Sequence, residues 1–329
     1  MLNIFRTNQI ITGVLLLPYI ALLYASVFIL DSTPPTVESS GIFSDWVYDL
    51  IAGNTLLSNI IAIVLLWIQS FMINAIALKH RLQNEFTLFP GLFYILLCCL
   101  LPDFLYLSPI LMGNTFFIIA LGQVLECYKK NSVADRIYIV GFWLGIAGLF
   151  YFSFNLLILW AIMGLSSLRA FRIKEVLQVL FGLLTVFILT GTYYFWFGEF
   201  DFFYKKQFAD NLTFWGFENT NNYFVWIKGG IIALLVILST LASGSFMSKK
   251  VMQVQKKITV LVRSLIVIAL TILFQAGMSV EHLLIFMVPL CFFTSFYFSG
   301  MKRNLAESLH LFILFGVLLF QYRTLFLGV

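Results

Sequence analysis

Apolar residues run through this chain in long blocks, separated by short polar interruptions placed with some regularity. Blocks of about 20 residues match the length of a membrane-crossing helix. The pattern predicts spans at about 10–30, 55–78, 86–101, 110–125, 176–197, 225–245, 258–275, 283–298 and 309–327. The block 137–168 is too long for one ordinary span, and is split near Tyr151–Asn155 into two short ones. Pro102-Asp103 and Ser108-Pro109 separate the 86–101 and 110–125 spans as a turn. The expectation is an all-α, polytopic transmembrane helical bundle of about eleven spans, or nine if both short pairs merge. It forms a single transmembrane domain over residues 1–329, with long outer loops at 31–54 and 198–224.

The first long interruption, DSTPPTVESSGIFSDWVYDLIAGN, shapes the rest of the reading. It holds Asp31, Glu38, Asp45 and Asp49 and no Lys or Arg, which marks the side away from the cytoplasm. Residues 42–51 carry a helical pattern, with Phe43, Trp46, Val47, Leu50 and Ile51 on one side and Asp45 and Asp49 on the other. That is the pattern of a short helix lying at the outer membrane surface.

Composition supports the class. The chain is 61% hydrophobic and 11% charged, against about 25% charged for a soluble domain. Charge placement gives the orientation. With the N-terminus cytoplasmic, sixteen of the twenty Lys and Arg fall on the inner side or at its span ends. The net charge of +5 is thereby explained by topology and calls for no nucleic acid. Cys98, Cys99, Cys127 and Cys291 fall in or beside apolar blocks and suggest neither disulfides nor zinc. No metal-ligand spacing occurs, so no cofactor is expected and a divalent metal is not indicated; the expected placement is the bacterial inner membrane.

The outer face collects the candidate chemistry. Asp31, Asp45 and Asp49 come from the first loop and Asp103 from the first short turn. Lys205 and Lys206 come from the second loop, Lys228 from the start of the following span, and Glu281 and His282 from the last tight turn. The three lysines run against the positive-inside tendency. They have the chemistry to hold a lipid phosphate by charge-assisted hydrogen bonds. The plainer alternatives are solvated loop carboxylates, lysines on lipid headgroups, and a Glu-His pair serving as a helix cap. Gln69 and Asn74, inside the second span, are expected to bond between helices. No span carries a run of buried charges and no pair of inverted halves is evident, which disfavours a transporter.

This layout resembles the GT-C superfamily of membrane glycosyltransferases, which use polyprenyl-phosphate sugars as donors. Asp31 and the stretch DWVYDLIAGN look like that superfamily's first outer loop, with its surface helix and acidic residue. The short paired spans look like its middle. EHLLIFMVPL looks like its late charged turn running into a proline-containing span. The chain departs from the superfamily in having no Asp-x-Asp pair in the first loop. It is also similar in overall look to polytopic membrane proteins of Bacteroidota. The resemblance implies a lipid-carrier-dependent glycosyltransferase acting outside the membrane. Asp31, Asp45 or Asp49 would be catalytic, with Asp31 or Asp45 the base that activates an acceptor hydroxyl. Asp103, Lys205, Lys206, Lys228, Glu281 and His282 would bind substrate. The implied partners are membrane lipid and a polyprenyl-phosphate carrier. The competing expectation is a non-catalytic scaffold subunit with envelope protein partners.

Overall fold

The computed structural model describes residues 2–6, 10–30, 40–83, 85, 87–130, 132–211, 223–248, 250–274 and 279–323. Among them every regular element is helical. In chain order these are α1 (Ile10–Val14), α2 (Leu16–Ile29), α3 (Ile42–Ile51), α4 (Thr55–Lys79), α5 (Phe89–Cys98), α6 (Pro109–Glu126), α7 (Ala134–Phe150) and α8 (Leu157–Leu168). They continue with α9 (Ile173–Trp196), α10 (Phe200–Tyr204), α11 (Tyr223–Met247), α12 (Met252–Thr271), α13 (Leu284–Ser299) and α14 (Arg303–Gln321).

Seven stretches are long and apolar enough to cross a membrane: Thr12–Ile29, Thr55–Lys79, Pro109–Glu126, Ile173–Trp196, Val225–Gly244, Val280–Ser299 and Arg303–Gln321. Seven of the eleven expected spans thus coincide with helices of membrane length, and the other four fall on the shorter helices α5, α7 and α8 and on the more charged α12. The helix expected at 86–101 is α5, whose ten residues reach only about 15 Å. Its neighbours explain its survival. All ten of its residues are buried, so α5 meets protein rather than lipid. The long block at 137–168 breaks where Tyr151 turns extended, giving α7 and the twelve-residue α8. Helix α12 has twenty residues but carries Lys256, Lys257 and Arg263.

Local chemistry sets several boundaries. Asn54 caps α4 by accepting from the Leu57 N–H at 3.1 Å, and Ser108 caps α6 on the Leu111 N–H, with Pro109 in the first turn. Packing between helices then relies on polar bonds and close backbones, as expected in an apolar medium. Gln69 donates to the Leu111 carbonyl at 2.7 Å and to Thr115, and accepts from Tyr94. Asn74 accepts from the Gly91 N–H at 2.8 Å. Between α7 and α9, a Cβ on Gly141 would overlap the Val179 carbonyl, and one on Gly182 would overlap the Tyr138 carbonyl. Those two glycines let the backbones touch.

The charges stay segregated. Glu126 gathers Lys79, Lys130 and Arg136; Arg169 meets Glu175 at 3.5 Å and Arg6 meets Glu85 at 3.4 Å. All of these belong to the expected inner set. Asp45–Lys206 and Asp103–Lys228 belong to the outer set. Among the described residues, no ion pair mixes the two.

Candidate polar site at the α3 end of the bundle

Helix α3 is held down by backbone before any charge is counted. The Gly41 N–H donates to the Phe150 carbonyl at 2.9 Å, and Ser44 Oγ reaches the same oxygen at 3.2 Å. The fully buried Gln207 accepts from the Ile42 N–H at 3.3 Å and donates to the Gly148 carbonyl at 2.7 Å. Gln207 sits in a π-helical turn, Lys205–Ala209. This wider turn carries Lys206 to Asp45, at 2.9 Å, while Ser40 donates to the other Asp45 oxygen at 2.5 Å.

The apolar side of α3 is divided. Phe43 and Val47 pack against the core and Ile51 is buried. Trp46 and Leu50, of the same apolar side, are exposed. Asp45, expected to face water, is half-buried in its ion pair, because the α9–α10 segment brings Lys206 over it. Asp49 and Lys205 are exposed and join no ion pair among the described residues. Asp31 lies outside the described residues.

A second group lies beyond α3. Asp103, in the turn Pro102–Phe104, meets Lys228 of α11 at 2.5 Å. Glu281 and His282 form the short helical turn Val280–Leu283 that opens α13. Glu281 is 5% exposed, and its Oε2 has no hydrogen-bond partner among the described residues. His282 is fully buried and uses both ring nitrogens, with Tyr151 Oη at 3.1 Å from Nδ1 and Thr271 Oγ1 at 2.8 Å from Nε2. Saturated in this way, it ties α13, α12 and the α7–α8 break together. Tyr48 stands between the two groups and donates to the Leu107 carbonyl at 2.9 Å. Burial, followed by the fields of Glu281 and Asp45, pushes its phenol well above its usual range. That coupling puts both carboxylates within electrostatic reach of one side chain.

Beside Lys228 and Glu281 runs an apolar groove of about 460 Å³ between α11, α12 and α13. This is within the size range of ligand pockets. Trp226, Ser279 and His282 line it near the polar end, with Ile237 and Phe286 further along. Lys228 and Glu281 do not line it. Each sits between two residues that do.

Sequence reasoning missed Gln207, Tyr48, Tyr151 and Thr271. Gln207 was hidden between the conspicuous Lys205-Lys206 pair and an aromatic run. Thr271 looked like an ordinary helix residue. Among the described residues, no three His, Cys, Asp or Glu side chains gather as metal ligands would. No protein-family model, curated protein or solved structure matches this chain.

Proposed function

We propose that the protein is a GT-C-like transferase that moves a sugar from a polyprenyl-phosphate carrier at the outer face of a bacterial inner membrane. The observation that carries this reading is the placement of the Asp103–Lys228 pair and the buried Glu281 beside an apolar groove, with a second carboxylate–lysine pair, Asp45–Lys206, on α3. A transferase with a lipid-borne donor needs a membrane-facing slot for the chain and polar groups at its headgroup end. It also needs a carboxylate within hydrogen-bond reach of the acceptor hydroxyl. In this reading Lys206, Lys228 and the exposed Lys205 hold the phosphate and stabilise it as it leaves. Asp45 or Glu281 takes the proton, and Asp103 orients Lys228.

The test is release of polyprenyl phosphate from polyprenyl-phosphate sugars by the full chain in lipid vesicles supplied with a panel of hydroxyl acceptors, with the sugar followed onto the acceptor oxygen. The reading expects Asp45→Asn, Glu281→Gln and Lys228→Met each to lower turnover by at least tenfold. Absence of turnover with a panel of hexose and pentose donors would reject it.

One observation favours the scaffold alternative. Helices α9 and α14 present broad apolar faces, including Phe181, Ile188, Leu189, Phe312 and Phe315. A scaffold would tolerate Asp45→Asn and would retain an envelope partner through mild extraction.

A further inference from the structure

Cations drawn into this bundle meet carboxylates. Arg6 is paired with Glu85, Arg169 with Glu175 and Lys228 with Asp103. A charge taken out of water is penalised unless such a partner offsets the loss. Lys257 of α12 breaks the rule. It is 4% exposed, yet it joins no ion pair among the described residues. Its ammonium reaches His80 Nδ1 at 3.1 Å. That nitrogen accepts one of the three N–H groups, and the described residues supply no acceptor for the other two. A neutral imidazole holds the ammonium without cancelling its charge.

The surroundings add positive charge. The fields of Lys79 and Lys130 reach His80, and that of Lys130 reaches Lys257. Lys79 and Lys130 share Glu126 with Arg136. Four cations thus stand with one carboxylate, an excess of three. Asp135 is exposed and joins no ion pair among the described residues.

Depth selects the ligand. Lys79 closes the membrane-length stretch Thr55–Lys79 and Glu126 closes Pro109–Glu126, so the cluster lies where apolar length ends. At that level a bilayer presents headgroup phosphates. One phosphate carries several acceptor oxygens, enough to take both remaining N–H groups of Lys257 and one from Lys130. Lys79 and Lys130 are exposed, which leaves the rim of the cluster reachable.

We propose that Lys257, Lys130 and Lys79 form a binding site for an anionic phosphate group, with His80 as the neutral acceptor that holds Lys257 in place. The site stands at the opposite end of α4 from the polar groups around α3 and does not depend on the transferase reading. The phosphate arrives either on an anionic phospholipid or free in solution. A zwitterionic lipid brings its own cation and is disfavoured by the excess of positive charge.

The experiment follows saturable stabilisation of the purified full chain in detergent against heating. Phosphatidylglycerol, phosphatidylcholine and inorganic phosphate are titrated in turn. Phosphatidylglycerol is expected to act at concentrations about tenfold or more below phosphatidylcholine. Lys257→Met should weaken this by about tenfold or more and the exposed Lys130→Met by about fivefold, while Lys257→Arg and the distant Lys174→Met stay within about twofold. Inorganic phosphate that saturates as readily as the lipid, and loses its effect in Lys257→Met, would assign the site to free phosphate. A response to the lipid alone would assign it to a headgroup. In the wild-type protein, phosphatidylglycerol with a diazirine on its headgroup should label residues 79–83, 126–130 and 253–260, a result that needs no variant to fold. Equal losses in Lys257→Met and Lys174→Met would overturn the proposal. So would equal action of the two lipids, no saturable response, or labelling spread evenly over residues 169–174 and 302–307.

Discussion

Asp103 and Lys228, 125 residues apart in sequence, meet at 2.5 Å and join the α5–α6 turn to the first turns of α11. The Lys228 residue is 9% exposed, so its ammonium depends on this carboxylate rather than on water. Lys228→Met and Asp103→Asn should each destabilise the folded protein by about 1–3 kcal/mol. The double variant should cost less than the two together, because the second substitution removes a group already stranded. Thermal unfolding in detergent across the four proteins measures this coupling. Additive losses would mean that the pair makes no net contribution.

Gln207 is the main tether of α3. Gln207→Leu keeps roughly the same volume but strands the Ile42 N–H and the Gly148 carbonyl, each worth about 1–3 kcal/mol. The loss should be felt at a distance. A cysteine introduced at the exposed Asp49 should leave the tethered protein unchanged, while protease cleavage near 40–54 should accelerate in Gln207→Leu. Unchanged cleavage would move the tether to Ser44 and Gly41.

The contact between α7 and α9 depends on two missing side chains. Gly182→Ala should destabilise by roughly 1–3 kcal/mol or more, since the new methyl meets a carbonyl oxygen that belongs to a helix backbone. Gly244→Ala, on the open face of α11, should instead stabilise by about 0.5–1 kcal/mol through helix propensity. Opposite signs for the same chemical change are the diagnostic outcome in thermal unfolding.

At the other end of the bundle, His80 Nδ1 accepts from Lys257 Nζ at 3.1 Å. Burial first, then the charges of Lys257, Lys79 and Lys130, pull His80 down to about 3 from an ordinary 6.5. The folded protein therefore keeps His80 neutral where the unfolded chain protonates it. Its contribution to stability is full above pH of about 6.5 and is lost progressively as pH falls from there towards 3. Comparing melting temperatures of wild type and His80→Gln from pH 8 to 4 isolates this group. The difference should shift in favour of the variant as the pH drops, and a constant difference would refute the assignment.

Much of the helical layout could be read from residue order because lipid-length apolar blocks and turn residues are local signals. Ser108-Pro109 opens α6, Asn54 caps α4, and the chain breaks at Tyr151 as block length required. The 86–101 span was misjudged in length because α5 is enclosed by protein, and enclosure is a property of the whole bundle. The polar site around α3 and α11 was half legible for a similar reason. Charges such as Asp103 and Lys228 declare themselves, but their pairing depends on how α11 docks. Thr271, which turns to His282, gains meaning only once three helices stand together.

The enclosure of α5 also bears on the order in which the molecule is made. Its closest packing partners are α13 and α4, and α13 begins at Leu284, more than half the chain later. A short helix with every side covered has no stable resting place until its covers exist. During synthesis from the N-terminus, α5 therefore waits while α6 to α12 emerge, sheltered by α4, α2 and the turn Leu2–Arg6 but not by α13. The centre of the bundle closes last. A ribosome that stalls before Leu284 leaves behind a protein with most of its helices and no finished interior, the kind of product that membrane quality control is built to remove.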